Sequence, residues 1–321
     1  MRPELDVDLV GPDRAEEVVG VIHRAFAARP VLDPPSTAGD ETVESVAATL
    51  EQHGGLLAMR RGVPIGAILF DRSRPGLLGL RRVSVDPLGR DRGVASAMVG
   101  VAEDVAEELG MDGMWLHVRS ELPENLRFWQ RKMYVPWTRQ GTTIEMGKTL
   151  WLAREVPDVA AMHRLAAGVA TLVRAGDLIV LSGDLGAGKT TFTQGLGAAL
   201  GVRGPITSPT FVIARTHPNL ADGPALVHVD AYRLGDAAEI DDIDLDATTD
   251  EAVTVVEWGE GMAEQLSDSW LAIRIETRTA MPGDPLGTTS GVESEDMRVV
   301  TVRPHGPRWL GVPLRSTLLR G

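Results

Sequence analysis

The chain of 321 residues contains no cysteine, which excludes a disulfide framework and thiolate metal sites. It also lacks any run of about 18 apolar residues that could form a transmembrane helix. The first residues, Met1–Asp6, do not provide the apolar core of a secretory signal. These absences predict a cytoplasmic protein with no membrane partner.

Positive charge is scarce, and lysine is almost missing. The chain has 32 lysines and arginines against 45 acidic residues, giving a net charge of −13, and only 3 of the cations are lysines. Proteins that bind nucleic acid unaided usually present clustered cations, so we expect no direct contact with DNA or tRNA. The segment after Asp296 has 5 arginines and no acid; it is either a partner or RNA contact or, more simply, a solvated end.

One of the three lysines, Lys189, lies in a segment with a distinctive pattern. An apolar stretch, 178–181, runs into Gly-x-x-x-x-Gly-Lys-Thr from Gly183 to Thr190. Glycines permit a tight turn whose amides cradle phosphate, and a helix begins at the lysine. The pattern predicts a nucleoside triphosphate site. Its expected contacts are Gly183, Asp184, Leu185, Gly186, Ala187, Gly188, Lys189, Thr190 and Thr191.

Three further segments follow the phosphate loop in order: Ser-Pro-Thr-Phe at 208–211, His-Val-Asp-Ala-Tyr-Arg-Leu at 228–234 and Val-Glu-Trp-Gly-Glu at 256–260. Together, over roughly residues 151–278, the four motifs resemble the TsaE family. Those proteins are small bacterial P-loop ATPases required to make N6-threonylcarbamoyladenosine in tRNA. The resemblance implies a three-layer α/β P-loop NTPase fold, ATP and Mg²⁺.

Chemistry assigns roles to four of these side chains. Lys189 places its charge on the β- and γ-phosphates, and the Thr190 hydroxyl ligates Mg²⁺. Asp230 follows a predicted strand, where it supports the metal through water or simply caps a turn. Glu257, also at a strand end, orients or deprotonates the attacking water.

The resemblance adds two nucleotide contacts. It places Trp258 beside the nucleotide, although core packing explains a tryptophan equally well. It makes Thr210 a switch residue that senses the γ-phosphate, against an ordinary turn threonine. We interpret His228 as a packing residue. The nearest approach to a guanine motif, 219–222, lacks its lysine, which favours ATP over GTP.

The family's partners are a threonylcarbamoyl transferase of the TsaD type and a scaffold of the TsaB type. The resemblance implies that hydrolysis resets that complex and that tRNA is contacted only through it. Two other hypotheses for this half are a nucleotide-sensing scaffold and, less favoured, a small-molecule kinase.

The first 150 residues alternate strand-like and helix-like patterns. A strand at 80–85 leads into Arg-Asp-Arg-Gly-Val-Ala at 90–95, followed by an amphipathic helix at 94–109. The segment resembles the acyl-CoA pyrophosphate loop of the GCN5-related N-acetyltransferases (GNAT), which have a mixed α/β fold. The implied acyl-CoA contacts are Val83, Val85, Arg90, Arg92, Gly93, Val94, Ala95 and Asn125, with acetyl-CoA as cofactor.

The acetyltransferase pattern is incomplete. Trp129 stands where the family often has a tyrosine acid, and Met133 replaces a glycine beside Tyr134. Glu121 and Glu124 are base candidates by position alone. The domain is therefore either an N-acetyltransferase of unknown acceptor or a non-catalytic acetyl-CoA-binding regulator. We expect domains at 1–150 and 151–321, the second with a flexible insert at about 280–296 and a basic tail at about 297–321.

Overall fold

The computed structural model describes residues 5–89, 93–209, 213–233, 251–278 and 297–320. The chain divides into two compact units, Met1–Leu150 and Trp151–Gly321, each of which combines one sheet with helices. Among the described residues, no helix is both long and apolar enough to cross a membrane.

The first unit contains a seven-stranded sheet in the order β1-β2-β3-β4-β5-β7-β6. Its elements are β1 (Leu5–Val10), α1 (Ala15–Ala27), α2 (Val43–His53), β2 (Gly55–Arg60), β3 (Val63–Asp71), β4 (Leu77–Val85), α3 (Val94–Glu108), β5 (Gly113–Arg119), α4 (Pro123–Arg131), β6 (Val135–Gln140) and β7 (Thr143–Thr149).

Successive residues of these strands serve two cores, because side chains alternate between the faces of a sheet. Leu56 and Ala58 of β2 pack with α3, whereas Leu57 between them packs with α1 and α2. The one parallel pairing, β4 with β5, covers Leu77–Leu80 and Gly113–Leu116. The rest of β4 continues past this paired segment towards the start of α3.

The second unit contains a seven-stranded sheet in the order β10-β11-β12-β9-β13-β14-β8. Its elements are β8 (Leu152–Val156), α5 (Val159–Ala170), β9 (Leu178–Ser182), α6 (Lys189–Leu200), β10 (Ala214–His217), β11 (Ala225–Asp230), β12 (Ala252–Glu257), β13 (Trp270–Thr277), β14 (Arg298–His305) and α7 (Leu314–Leu318). The central four strands, β11, β12, β9 and β13, are mutually parallel.

Both faces of this second sheet are covered, which gives the three-layer α/β arrangement. Leu226, Val255 and Leu181 lie on the face that packs against α5, α6 and α7. Val227, Val256 and Val180 lie on the opposite face, in a core that includes Ala263 of a short 3-10 turn. His228, Asp230 and Glu257 have the parity of the first face, so they point towards the helix that follows the phosphate loop.

The basic segment after Asp296 is not a solvated end, so the simpler interpretation of its composition is wrong. It forms β14, which pairs with β13 on one side and β8 on the other. Arg308 donates to both oxygens of Asp177, at 2.9 and 2.8 Å, and Arg315 donates to the Trp151 carbonyl. These arginines satisfy acceptors within the unit. The proposed insert at about 280–296 lies outside the described residues.

Candidate functional site

The phosphate loop joins the end of β9 to the start of α6, and glycine is required at its bends. Gly183, Gly186 and Gly188 have φ values of 140°, 79° and 110°, in the region that side chains disfavour. A Cβ atom on Gly183 would lie 2.1 Å from the Ile275 carbonyl oxygen. The loop therefore needs glycine at Gly183 for space as well as for conformation.

Lys189, the first residue of α6, is folded back onto this loop. Its Nζ donates to the carbonyls of Gly183 and Asp184, at 2.8 and 3.0 Å, and lies 3.8 Å from the centre of the Trp258 ring. Burial of the ammonium lowers the pKa of Lys189 below the ordinary lysine value. The cation thus occupies the loop through interactions that an anionic ligand could replace.

Two buried carboxylates lie at the same edge of the sheet as the loop. Asp230 is the register partner of Glu257 across β11 and β12, and Glu257 is the partner of Leu181 across β12 and β9. Parallel strands end at a common edge, where open α/β sheets bind ligands. Asp230 and Glu257 are only 5% and 2% exposed.

The Glu257 carboxylate accepts hydrogen bonds from two side chains. The Thr190 hydroxyl donates to Oε1 at 3.1 Å and lies 3.4 Å from Oε2. His228 Nε2 lies 2.8 Å from Oε1. Sequence reasoning treated His228 as packing and missed this contact. The available signal was its spacing of two from Asp230, which puts both side chains on one face of β11.

Both carboxylate oxygens of Asp230 accept a hydrogen bond. Ser208 Oγ donates to Oδ2 at 2.9 Å, and the Tyr232 backbone N–H donates to Oδ1 at 3.1 Å. The second bond is the turn cap that the sequence left open. The first links Asp230 to the Ser-Pro-Thr-Phe motif, although Thr210 itself lies outside the described residues.

Trp258 is packed against its neighbours, and its contact with a nucleotide stays a prediction. Its φ is 63°, its backbone N–H donates to the Leu181 carbonyl at 3.0 Å, and its ring packs edge-on against Tyr232 with centroids 5.3 Å apart. The same ring faces the Lys189 ammonium. The indole is therefore packed and also lies beside the phosphate loop.

The oxygen donors at this edge suit magnesium bound together with a phosphate. Thr190 offers a hydroxyl, and Asp230 and Glu257 offer carboxylates, the hard donors that Mg²⁺ prefers. Within the described ranges, no group of three His, Cys, Asp or Glu side chains could hold a metal alone. Magnesium in such sites ordinarily takes one or two protein ligands plus phosphate oxygens, so these residues fit the ion.

In the first unit, the described residues expected to contact acyl-CoA lie on β4, at the start of α3 and on α4. Gly93 forms the N-cap with φ 76°, and Ala95 lies in the first turn after the buried Val94. Val85 pairs with Gly66, while the Val83 carbonyl accepts a bond from Arg29 at 3.0 Å. The Asn125 backbone N–H donates to Leu122 at the start of α4. Arg90 and Arg92 lie outside the described residues.

The aromatic residues of this unit are enclosed. Tyr134 is 0% exposed, its hydroxyl lies 3.3 Å from Met114 Sδ, and burial raises its pKa well above the ordinary value. Trp129 packs against it with ring centroids 5.0 Å apart. Tyr134 is the only tyrosine in the first 150 residues, so this unit has no exposed tyrosine acid. Among the base candidates, Glu121 has its pKa lowered by a hydrogen bond from Arg119.

Comparison with known proteins divides the chain in the same way. Residues 156–282 match the family model described as threonylcarbamoyl adenosine biosynthesis protein TsaE. Residues 25–133 match that of the acetyltransferase (GNAT) family.

Individual proteins and solved structures are similar to one unit or the other. A Streptomyces coelicolor tRNA threonylcarbamoyladenosine biosynthesis protein TsaE is 53% identical over 149 residues, covering 46% of this chain and 93% of that protein. Among solved structures, Bacillus subtilis YdiB is 27% identical with a TM-score of 0.40, covering 53% of this chain and 95% of that one. A Thermoplasma acidophilum PaiA N-acetyltransferase in complex with coenzyme A is 14% identical with a TM-score of 0.41, covering 46% and 99%.

The similarity to the Streptomyces protein extends over 93% of that relative. Through its second unit, the chain belongs to the TsaE family.

Proposed function

We propose that this chain binds and hydrolyses ATP in support of tRNA N6-threonylcarbamoyladenosine formation. The observation that carries the proposal is the meeting of Lys189, Thr190, Asp230 and Glu257 at one edge of the parallel sheet. A phosphate loop alone would suit many nucleotide-binding proteins. The two carboxylates in register beside it supply what a hydrolase needs in addition.

Binding would begin with an exchange of partners at Lys189. The ammonium leaves the Gly183 and Asp184 carbonyls, to which it donates at 2.8 and 3.0 Å, for the β- and γ-phosphate oxygens. The loop amides at the start of α6 hold the β-phosphate, as helix N-termini favour anions. The Trp258 ring, which already faces Lys189, bounds the same space.

Thr190 and Asp230 would hold Mg²⁺, the latter through water. The ion supplies neutralisation of the phosphate charge. Glu257 orients a water molecule whose oxygen attacks the γ-phosphorus. The bond to the β–γ bridging oxygen breaks, ADP leaves with that electron pair, and the water proton passes to the Glu257 carboxylate.

We further propose that this ATPase acts with a TsaD-type transferase and a TsaB-type scaffold, which would hold the tRNA. The net charge of −13 supports this division of labour, because a protein that binds tRNA alone usually carries an excess of cations.

The first unit is proposed to bind acetyl-CoA through the Gly93 turn and the end of β4. Enclosure of Tyr134 and Trp129 favours binding without transfer by a tyrosine acid. This favours the hypothesis of a non-catalytic acetyl-CoA-binding regulator over that of an N-acetyltransferase. Labelled acetyl transfer to a peptide or amine would reverse that order.

The test is complementation of a bacterium depleted of its own TsaE, with modified nucleosides of its tRNA measured by mass spectrometry. The full chain should restore N6-threonylcarbamoyladenosine, and the Lys189→Ala chain should not. A Gly93→Asn chain is the matched control, since it alters the other unit with a residue that tolerates the left-handed backbone conformation. Restoration by Lys189→Ala would refute a role for ATP, and no restoration by the wild-type chain would refute the pathway.

A further inference from the structure

His228 is buried within the second sheet beside apolar core residues, where a histidine is costly. The ring is 0% exposed and shares its sheet face with Leu226 and Val255, which belong to the core under α6. Burying a polar ring without a compensating hydrogen bond is unfavourable. The hydrogen bond of 2.8 Å to Glu257 Oε1 provides the compensation.

The two nitrogens of the ring differ sharply. Nε2 faces Glu257, while Nδ1 is buried without a hydrogen-bond partner among the described residues. Since a carboxylate oxygen accepts, Nε2 must carry the proton and donate. A proton on Nδ1 would be buried without an acceptor. The tautomer with its proton on Nε2 therefore fits this surrounding best.

We infer that His228 is a positioning residue that fixes the Glu257 carboxylate for hydrolysis; this rests on the proposed ATPase function. Glu257 has two described side-chain donors, Thr190 and His228. The Thr190 hydroxyl is also the group assigned to magnesium, so its bond to Glu257 depends on what occupies the site. His228 lies inside the core and has no such second task. It therefore holds Oε1 in both states.

This anchoring distinguishes the two carboxylate oxygens. Oε1 accepts at 2.8 Å from His228 and at 3.1 Å from Thr190. Oε2 has only the longer Thr190 contact, 3.4 Å, among the contacts of the described residues. Oε2 is consequently the oxygen that faces the attacking water and accepts its proton.

The experiment compares three variants of the full chain. His228→Gln retains an N–H donor, and His228→Leu fills the space without one. His217→Leu is the matched control, because His217 is also buried and bonded, to the Arg203 carbonyl at 3.1 Å, but lies on β10. ATP affinity, kcat, KM and thermal stability are measured for each.

His228→Leu should lower kcat about 10–100-fold, the usual effect of removing a group that orients a catalytic ligand, with ATP affinity changed less than about threefold. His228→Gln should recover most of kcat. His217→Leu should lower stability and leave kcat unchanged. Wild-type kcat in His228→Leu would overturn the inference, and so would equal losses in the leucine and glutamine variants.

A second readout does not require turnover. The ¹⁵N shifts of the His228 ring in the full chain report which nitrogen is protonated, and we expect Nε2–H with a bare Nδ1. Protonation on Nδ1 would contradict the inference whether or not ATP is hydrolysed. A wild-type chain that hydrolyses no ATP with its partners would instead refute the proposed function.

Discussion

The Thr190 hydroxyl donates to Glu257 Oε1 at 3.1 Å, which links the first turn of the phosphate-loop helix to the last residue of β12. The bond joins the part of the site that would bind phosphate to the part that would activate water. It forms because Glu257 ends a strand adjacent to β9, which leads into the loop.

Replacing Glu257 by glutamine tests the proposed base while preserving its shape. Glu257→Gln should lower ATP turnover about 10²–10⁴-fold, the usual contribution of general base catalysis, and leave nucleotide affinity close to wild type. Steady-state hydrolysis and fluorescent-nucleotide binding measure the two. Glu260→Gln is the control, because the Glu260 side chain is 62% exposed. Equal turnover in all three proteins would remove Glu257 from the mechanism.

The pH dependence of ATP binding should reflect the buried ammonium. Desolvation lowers the pKa of Lys189 below the ordinary value of 10.5. ATP needs the charged form, so affinity is full below the lowered pKa and falls as pH rises through it. The fall should begin at a lower pH than for an ordinary lysine. Lys189→Ala, weak throughout, should show no such step. A wild-type affinity that is flat up to pH 10.5 would contradict this.

Two substitutions of Gly93 separate an effect on acetyl-CoA binding from an effect of backbone strain. Asn and Asp both tolerate the left-handed conformation, φ 76°, that this N-cap adopts. Gly93→Asn should bind acetyl-CoA in calorimetry, whereas Gly93→Asp should lose it because the carboxylate repels the pyrophosphate. Without acetyl-CoA, ATP turnover should be the same in both. Binding by the aspartate variant would place the cofactor elsewhere.

The C-terminal segment should contribute strongly to stability through Arg308. The Arg308 and Asp177 side chains are 15% and 5% exposed, so Arg308→Met leaves a buried carboxylate without its charged partner and should cost about 3 kcal/mol or more. Adding Asp177→Asn should recover part of this. Arg274→Met, from an ion pair with both side chains more than half exposed, should cost under about 1 kcal/mol. Calorimetry of the full chain compares the stability of these variants. Equal losses of stability for Arg308→Met and Arg274→Met would refute a strong contribution from the buried Arg308–Asp177 ion pair.

The sequence predicts those elements whose pattern is contiguous in the chain, and it does not predict those that depend on distant strands. The helix at 94–109 and the helix that begins at Lys189 are predicted from periodicity and from the glycine pattern, and they match α3 and α6. The sequence does not predict β14, because Arg298, Thr301 and Arg303 interrupt its valines and that basic composition suggests a solvated end. This segment forms a strand because it pairs with β13 on one side and with β8, which is distant in sequence, on the other.

The same distinction between local and long-range contacts applies to the candidate site. Lys189 and Thr190 lie within one contiguous motif, so their proximity was predictable. The contact of His228 with Glu257 depends on the register between β11 and β12, which a single sequence does not specify. The spacing of His228 from Asp230 puts both on one face of β11, but it does not identify Glu257 as a partner until the neighbouring strand is known.

Met133 shows a departure from the acetyltransferase pattern that has an energetic consequence. It follows α4 with φ 66° and is 61% exposed, where glycine would avoid a penalty of about 1–2 kcal/mol. Met133→Gly should therefore raise the melting temperature slightly, since glycine's extra chain entropy offsets only about 0.5–1 kcal/mol. Met133→Ala keeps the Cβ atom and should not stabilise. Stabilisation by both would point to another cause.

The most direct test of the account is ATP hydrolysis by the purified full chain with Mg²⁺, measured alone and with a TsaD-type transferase and TsaB-type scaffold. Turnover that rises with the partners and disappears in Lys189→Ala is the predicted result. Bound ATP with no hydrolysis under either condition would contradict the account and favour a nucleotide-sensing scaffold.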